Sequence, residues 1–227
     1  MFAFWGYTVV WLLFVVASVL AEDRADHRHF FSSGLRGSAY GGGPTFSYGQ
    51  RLNGRLFLNG TFFFGQLSES TSGGSLDNAQ YYETESKRKS TMFDVGLTYF
   101  FRENGIARWG ALLKAGVGHA RTTIKSEWKR YDRDPAFIVI GDEKRLRESE
   151  SDDASFDSTY ARLSGGYQFL WGFYPGNRVG HVLELSAGVL MGDREAKVGT
   201  VQPNGESASA ELERVSALFE IAYSVAF

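Results

Sequence analysis

The end of the chain constrains the fold more than any other stretch. In the stretch Ala208 to Phe227, counting back from the end, Phe227, Val225, Tyr223, Ile221, Phe219, Ala217 and Val215 share one parity. Arg214, Ser216, Glu220, Ala222, Ser224 and Ala226 occupy the other. Successive strand side chains point to opposite faces, so this stretch is one long strand with a greasy face and a small or charged face. A soluble sheet turns such a greasy face toward a core and a membrane barrel turns it toward lipid, so the choice depends on what the remaining strands look like.

From about Phe30 the chain repeats that alternation. Extended runs fall at roughly 30 to 40, 44 to 52, 55 to 66, 88 to 102, 108 to 126, 154 to 171, 178 to 194 and 208 to 227, an even number of eight. Two kinds of connection alternate between them. Short ones carry turn chemistry, at Asn53-Gly54, Glu103-Asn104-Gly105 and Gly172 to Asn177 with Pro175-Gly176. Long ones are polar and charged, at Ser68 to about Arg88, Arg130 to Asp153 and Asp193 to about Ser207; the first hairpin is the exception, joined only by Gly41-Gly42-Gly43-Pro44. Short turns on one side and long loops on the other are the mark of a transmembrane β-barrel.

Composition is consistent with this. A mean hydropathy of -0.22 argues against a helical membrane protein, but only alternate residues of a barrel strand meet lipid. The net charge of -2 gives no support for nucleic-acid binding. With no Cys, disulfides and thiolate metal sites are excluded, which suits passage through an oxidising compartment. Met1 to Ala21 is uncharged and ends Ala17-Ser18-Val19-Leu20-Ala21 before Glu22-Asp23-Arg24, so residues 1–21 read as a signal peptide cleaved after Ala21. It lacks the usual basic start, and an uncleaved anchor is the competing reading. Residues 22–29 then form a short linker and 30–227 the barrel.

Outward positions are Phe93, Val95, Leu97, Tyr99 and Phe101 on the fourth run and Trp109, Ala111, Leu113, Ala115 and Val117 on the fifth. The sixth adds Ala161, Leu163, Tyr167, Phe169 and Trp171, and the seventh Val179, Leu183, Leu185, Val189 and Met191. Tyr99, Phe101, Trp109, Phe169, Trp171 and Phe227 gather at the short-turn end as an interfacial aromatic belt. The terminal Ile221, Tyr223, Val225 and Phe227 resemble the closing strand of bacterial outer-membrane barrels, with Val225 where those proteins more often carry an aromatic residue. The resemblance implies an outer-membrane location, contact with outer-membrane lipids, and recognition of these four residues by the barrel assembly machinery. A monomer is expected.

An eight-stranded barrel is just wide enough for side chains to fill it. Six strands carry one charged residue of inward parity, Arg36, Asp94, Lys114, Arg162, Glu184 and Glu220, all near mid-membrane. Three cations and three anions in one layer must pair, because an unpaired charge there costs several kcal/mol (about 3 or more). The set resembles the charge cluster that fills the OmpA-type transmembrane domain, without that family's peptidoglycan-binding domain. Inward Gly116, Gly118, Ala120, Gly166 and Gly188 either leave a water-filled dent or make room for Tyr40, Phe63 or Tyr160.

Some small barrels modify lipid A, as the PagP-like and PagL-like enzymes do, and such chemistry needs a base touching a nucleophile. The four His are His27, His29, His119 and His181. His181 and Ser186 differ in parity, and His119 and Asp157 read as lying at different heights with no Ser beside them. No His pair has metal-ligand spacing and no dinucleotide or phosphate-loop pattern occurs, so no catalytic residue and no cofactor is expected. Lys87, Lys89, Arg121 and Lys125 share the outward parity at the tops of the fourth and fifth strands, with Arg88 and Lys129 close by; they form either a lipopolysaccharide-contacting rim or a solvated loop base. The loop 130–153 holds Ala136 to Ile140, an apolar segment that either packs on itself or offers an edge to a surface partner, as in OmpX-like proteins. Three function classes follow: a filled barrel with a structural or surface-interaction role, a narrow OmpW-like channel for small apolar solutes, and a lipid A enzyme.

Overall fold

The computed structural model describes residues 28–75, 80–102, 110–132, 145–171, 180–193, 196–201, 207–212 and 214–226. The signal-peptide and linker readings, the Ala136 to Ile140 segment, Trp109 and Phe227 lie outside the described residues, apart from Arg28 and His29 of the linker. Among the described residues ten strands form: β1 His29–Ser38, β2 Gly41–Arg51, β3 Leu56–Ser75, β4 Gln80–Phe100, β5 Gly110–Asp132, β6 Arg145–Trp171, β7 Gly180–Gly192, β8 Ala196–Val201, β9 Ser207–Leu212 and β10 Val215–Ala226. Eight close into a barrel in the order β1-β10-β7-β6-β5-β4-β3-β2, every described pair antiparallel, while β8 and β9 make a separate hairpin. The seam pairs β1 with β10 from Phe30 opposite Ala226 to Gly37 opposite Phe219. Closure satisfies the backbone of both edge strands, a requirement for any sheet surrounded by lipid.

The walls are unequal in height. β1, β2, β7 and β10 have 10, 11, 13 and 12 residues, about the 9–11 that span a bilayer at a tilt near 45°. β3, β4, β5 and β6 have 20, 21, 23 and 27. The sequence reading took Ser68 to Arg88 and Arg130 to Asp153 as loops. Much of both is instead strand, paired as far as Ser75 opposite Gln80 and Asp132 opposite Arg145, with a register shift at Arg130/Tyr131. β8 falls in the stretch read as loop, but β9 takes the first residues of the run read as one strand from 208 to 227, so only β10 enters the barrel while β8 and β9 pair as a hairpin against β4, β5 and β6. Thr122, Ile124, Ser126 and Trp128 on the inner face of that tall wall are buried.

The first hairpin also differs from the reading. Its connection is Ala39-Tyr40, and Gly41 to Pro44 belong to β2. Gly41 adopts φ 113°, and a Cβ there would stand 2.8 Å from the Gln66 backbone, so the tight turn needs glycine. The turn drives the Tyr40 ring down into the lumen, where it packs with Phe63, Met92, Ala120, Tyr160, Leu190 and Leu218. At the opposite, short-turn end Phe30, Phe57, Phe100, Leu112 and Ala226 form a second apolar layer. Gly118 faces Tyr160, and a Cβ added at Gly118 would sit 2.6 Å from the ring; the room above mid-barrel is therefore taken up by aromatic side chains.

Candidate functional site

The six inward charges occupy the space between the two apolar layers. Arg36 lies on β1, Asp94 on β4, Lys114 on β5, Arg162 on β6, Glu184 on β7 and Glu220 on β10, and all six are buried. Arg162 Nη2 stands 2.8 Å from Asp94 Oδ1 as an ion pair without hydrogen-bond alignment. Asp94 Oδ2 is 3.5 Å from Arg36 Nη1 and accepts the Tyr160 hydroxyl at 3.2 Å. Arg36 reaches Glu220 Oε2 through Nη2 at 2.7 Å and Nε at 2.8 Å. Lys114 Nζ then bridges Glu220 Oε1 at 3.2 Å and Glu184.

The result is a linear chain of alternating sign: Arg162, Asp94, Arg36, Glu220, Lys114, Glu184. Each interior member touches two opposite charges and each end member one. β2 and β3 supply uncharged polar filling, with Ser47 donating to Thr61 at 3.0 Å and Thr98 on β4 donating to Asn59 at 3.1 Å. Arg36 also lies over the Phe63 ring, 5.5 Å from its centroid.

The outside is the reverse. Each of the eight barrel strands presents at least one large apolar side chain outward, among them Leu35, Tyr48, Phe62, Val95, Val117, Leu163, Leu185 and Phe219, with Val117 68 % exposed. A closed sheet with charges within and an unbroken apolar band around it is stable only with hydrocarbon outside. The chain folds as an eight-stranded transmembrane β-barrel. Aromatic rings pair along the short-turn edge of the band, Tyr99 with Phe101 at 5.5 Å and Tyr167 with Phe169 at 5.0 Å between centroids.

On the closing strand of the barrel, Ile221 and Tyr223 point outward and are exposed. Val225 shares their parity but is only 3 % exposed, in register between Phe31 and His181. Below them, His181 Nδ1 meets the Tyr223 hydroxyl at 2.5 Å, and His29 Nδ1 meets the Tyr48 hydroxyl at 2.8 Å in a matching stacked pair.

The four rim cations are brought to one surface but not to one state. Lys87 pairs with Glu85 at 2.7 Å, and Lys125 with Glu127 at 3.3 Å, which Lys129 also holds at 3.2 Å. Burial pushes the Glu127 carboxyl up, but hydrogen bonds and charge from Lys129 and Lys125 outweigh it and hold the group below the ordinary carboxylate value. The side chains of Lys89 and Arg121, both exposed, make no ion pair or hydrogen bond among the described residues. Arg88, beside them in sequence, points inward and donates to the Ala39 carbonyl.

Sequence reading placed His119 and Asp157 at different heights, and here the structure differs. His119 is opposite Thr159, which puts Asp157 one outward step away, and the two side chains meet at 3.4 Å. The Thr159 hydroxyl is engaged with Asp193 at 2.7 Å and Ser155 with Thr123 at 2.8 Å. His181 and Ser186 face opposite sides of β7, and no three His, Asp or Glu converge as a metal site among the described residues.

No family model and no curated protein matches the sequence. Similar solved structures exist. Ail, the attachment invasion locus protein of Yersinia pestis, in complex with the heparin analogue sucrose octasulfate, shares 13 % identity, covering 88 % of this chain and 98 % of its own, with a TM-score of 0.40. The N-terminal β-barrel domain of Pseudomonas aeruginosa OprF shares 11 % identity over 89 % of this chain and 98 % of its own, TM-score 0.44. Acinetobacter baumannii CarO shares 9 % over 86 % and 97 %, TM-score 0.36.

Proposed function

We propose that the protein is a closed, non-conducting and non-enzymatic barrel whose work is done at the cell surface by the wall β3–β6. The observation that carries this reading is the alternating six-charge chain lying between two apolar layers. An ion crossing the lumen would have to displace the rings of Tyr40, Phe63 and Tyr160, then separate buried charge pairs, then pass Phe30, Phe57 and Phe100. Parting even one buried pair costs about 3–5 kcal/mol. A non-enzymatic role is supported by the engagement of the hydroxyls around His119 and Asp157, which leaves that dyad without a free nucleophile on β6.

The tall wall supports a surface role. Above the level where β2 and β7 leave it, at Gln66 on one side and Tyr160 on the other, β3 stays paired with β4 and β6 with β5, but neither has a barrel-sheet partner on its other side among the described residues. On that stretch of β6, Glu148 and Glu150 are engaged by Arg130 and Trp128 of β5, while Asp152 and Asp153 are exposed and make no ion pair among the described residues, so a partner meeting this edge would carry basic side chains. Planar-bilayer recording on the purified full chain tests the closed lumen. A silent membrane at protein loads that open a porin is expected, and steady ion-selective conductance would sink the reading.

A further inference from the structure

We propose that Lys89 and Arg121 bind a phosphate of lipopolysaccharide, on the outward face of β4 and β5 just beyond the apolar band. This rests on the barrel lying in the outer membrane with its tall wall facing out.

Position is the first argument. Outward residues on β4 are apolar from Phe101 to Phe93, then Thr91 and Lys89 follow; on β5 they are apolar from Ala111 to Val117, then His119 and Arg121 follow. Lys89 is opposite Thr123 and Arg121 opposite Thr91, so the two cations are diagonal neighbours on one face. Both stand two outward steps past the band. Four residues at about 3.3 Å each and a tilt near 40° give about 10 Å, and long cationic side chains reach back toward headgroups about 5–8 Å thick.

Charge is the second. Lys87, Lys125 and Lys129 are satisfied by Glu85 and Glu127, and Asp157, opposite Arg121 across the ladder, turns to within 3.4 Å of His119 and makes no ion pair with Arg121 among the described residues. Lys89 and Arg121 are thus the members of the cluster whose charge is available to an outside anion. They border a surface depression of about 570 Å³ that is also lined by Phe64, Gln66, Thr91 and Thr123. A phosphate between an ammonium and a guanidinium is a strong charge-assisted site. The hydroxyl and amide groups beside it suit sugar hydroxyls, and the exposed rings of Phe62 and Phe93, 4.7 Å apart, lie below on the acyl-chain side. A phosphorylated sugar carrying acyl chains fits all three features, and that is the lipid of the outer leaflet.

The test is retention of bisphosphorylated lipid A by the purified full chain in phosphatidylcholine nanodiscs, read by native mass spectrometry. Lys89→Gln with Arg121→Gln should lose about tenfold or more of the retained lipid, while Lys87→Gln with Lys125→Gln stays within about twofold of the parent. Lipid A stripped of both phosphates should not be retained, and excess phosphatidylglycerol or inorganic phosphate should not displace the intact lipid. Equal loss from the two double variants, retention of the stripped lipid, or displacement by either competitor overturns the proposal. Neither double variant touches the lumen, so a failure here leaves the conductance result standing.

Discussion

Asp94→Asn is the sharpest test of the order of charges in the barrel. Asp94 sits between two arginines at 2.8 and 3.5 Å and accepts the Tyr160 hydroxyl. With an effective dielectric constant of about 20, those separations correspond to gross attractions of about 6 and about 5 kcal/mol. Removing the charge also relieves the carboxylate of a desolvation cost of several kcal/mol, so the net loss is about 3–5 kcal/mol. Glu184→Gln is the control. It removes an end member, Lys114 keeps Glu220 at 3.2 Å, and the loss is about 2 kcal/mol or less. In urea unfolding from lipid vesicles followed by tryptophan fluorescence, a slope of about 2 kcal/mol/M turns these into midpoint shifts of about 2 M and under about 1 M. Adding Arg162→Gln to Asp94→Asn restores neutrality and should return about half the loss. Equal shifts for Asp94→Asn and Glu184→Gln, or no recovery in the double variant, would refute a linear chain.

Other outcomes follow from the same geometry. Phe57→Ala empties the centre of the short-turn layer, where Phe57 lies 5.7 Å from Phe30 and 5.4 Å from Phe100; a loss of about 3–5 kcal/mol in the same unfolding assay is expected. Gly118→Ala pushes a methyl against Tyr160 and, at 2.4 Å, the Phe93 carbonyl, so it should destabilise by about 1–3 kcal/mol, with no rescue from Tyr160→Phe because the backbone contact remains. Glu127 should titrate below its ordinary value of 4.5 when its carboxyl carbon is followed by NMR, and Lys125→Gln with Lys129→Gln should raise it. The sign follows from the depressed value. The contribution of Glu127 to the β4–β5 tip is complete above 4.5 and is lost as pH falls through the lower folded-state value.

The alternation of β4, β5, β7 and β10 made the barrel readable, because each residue there meets either lipid or lumen and the two demand opposite chemistry. The same rule exposed the inward parity of Arg36, Asp94, Lys114, Arg162, Glu184 and Glu220. Their pairing order was not readable, since it depends on the strand stagger around the ring. The tall wall escaped notice for a related reason. Above the membrane the outward face meets water, so Lys87, Glu85, Lys125 and Glu127 replace aliphatics and the period-2 contrast fades. A trace survived in the inner row of buried Ile124 and Trp128 with partly buried Phe156, which a search for one-sided alternation would have found. The split within the rim was hidden too, because Lys87–Glu85 and Lys125–Glu127 are neighbours two apart on one strand, a spacing that charge counting ignores.

The unequal walls set an order of assembly. β3 to β6 are successive hairpins whose partners are close in sequence, so each can zip from its own turn as soon as it is made. The Arg36–Glu220 contact spans 184 residues, and the ribbon it belongs to is joined at the low wall, where only ten- and twelve-residue strands must find each other. Long-range closure is therefore confined to a short ladder of eight residue pairs, and Arg36, held by Glu220 on one side and Asp94 on the other, acts as the clasp fastened last.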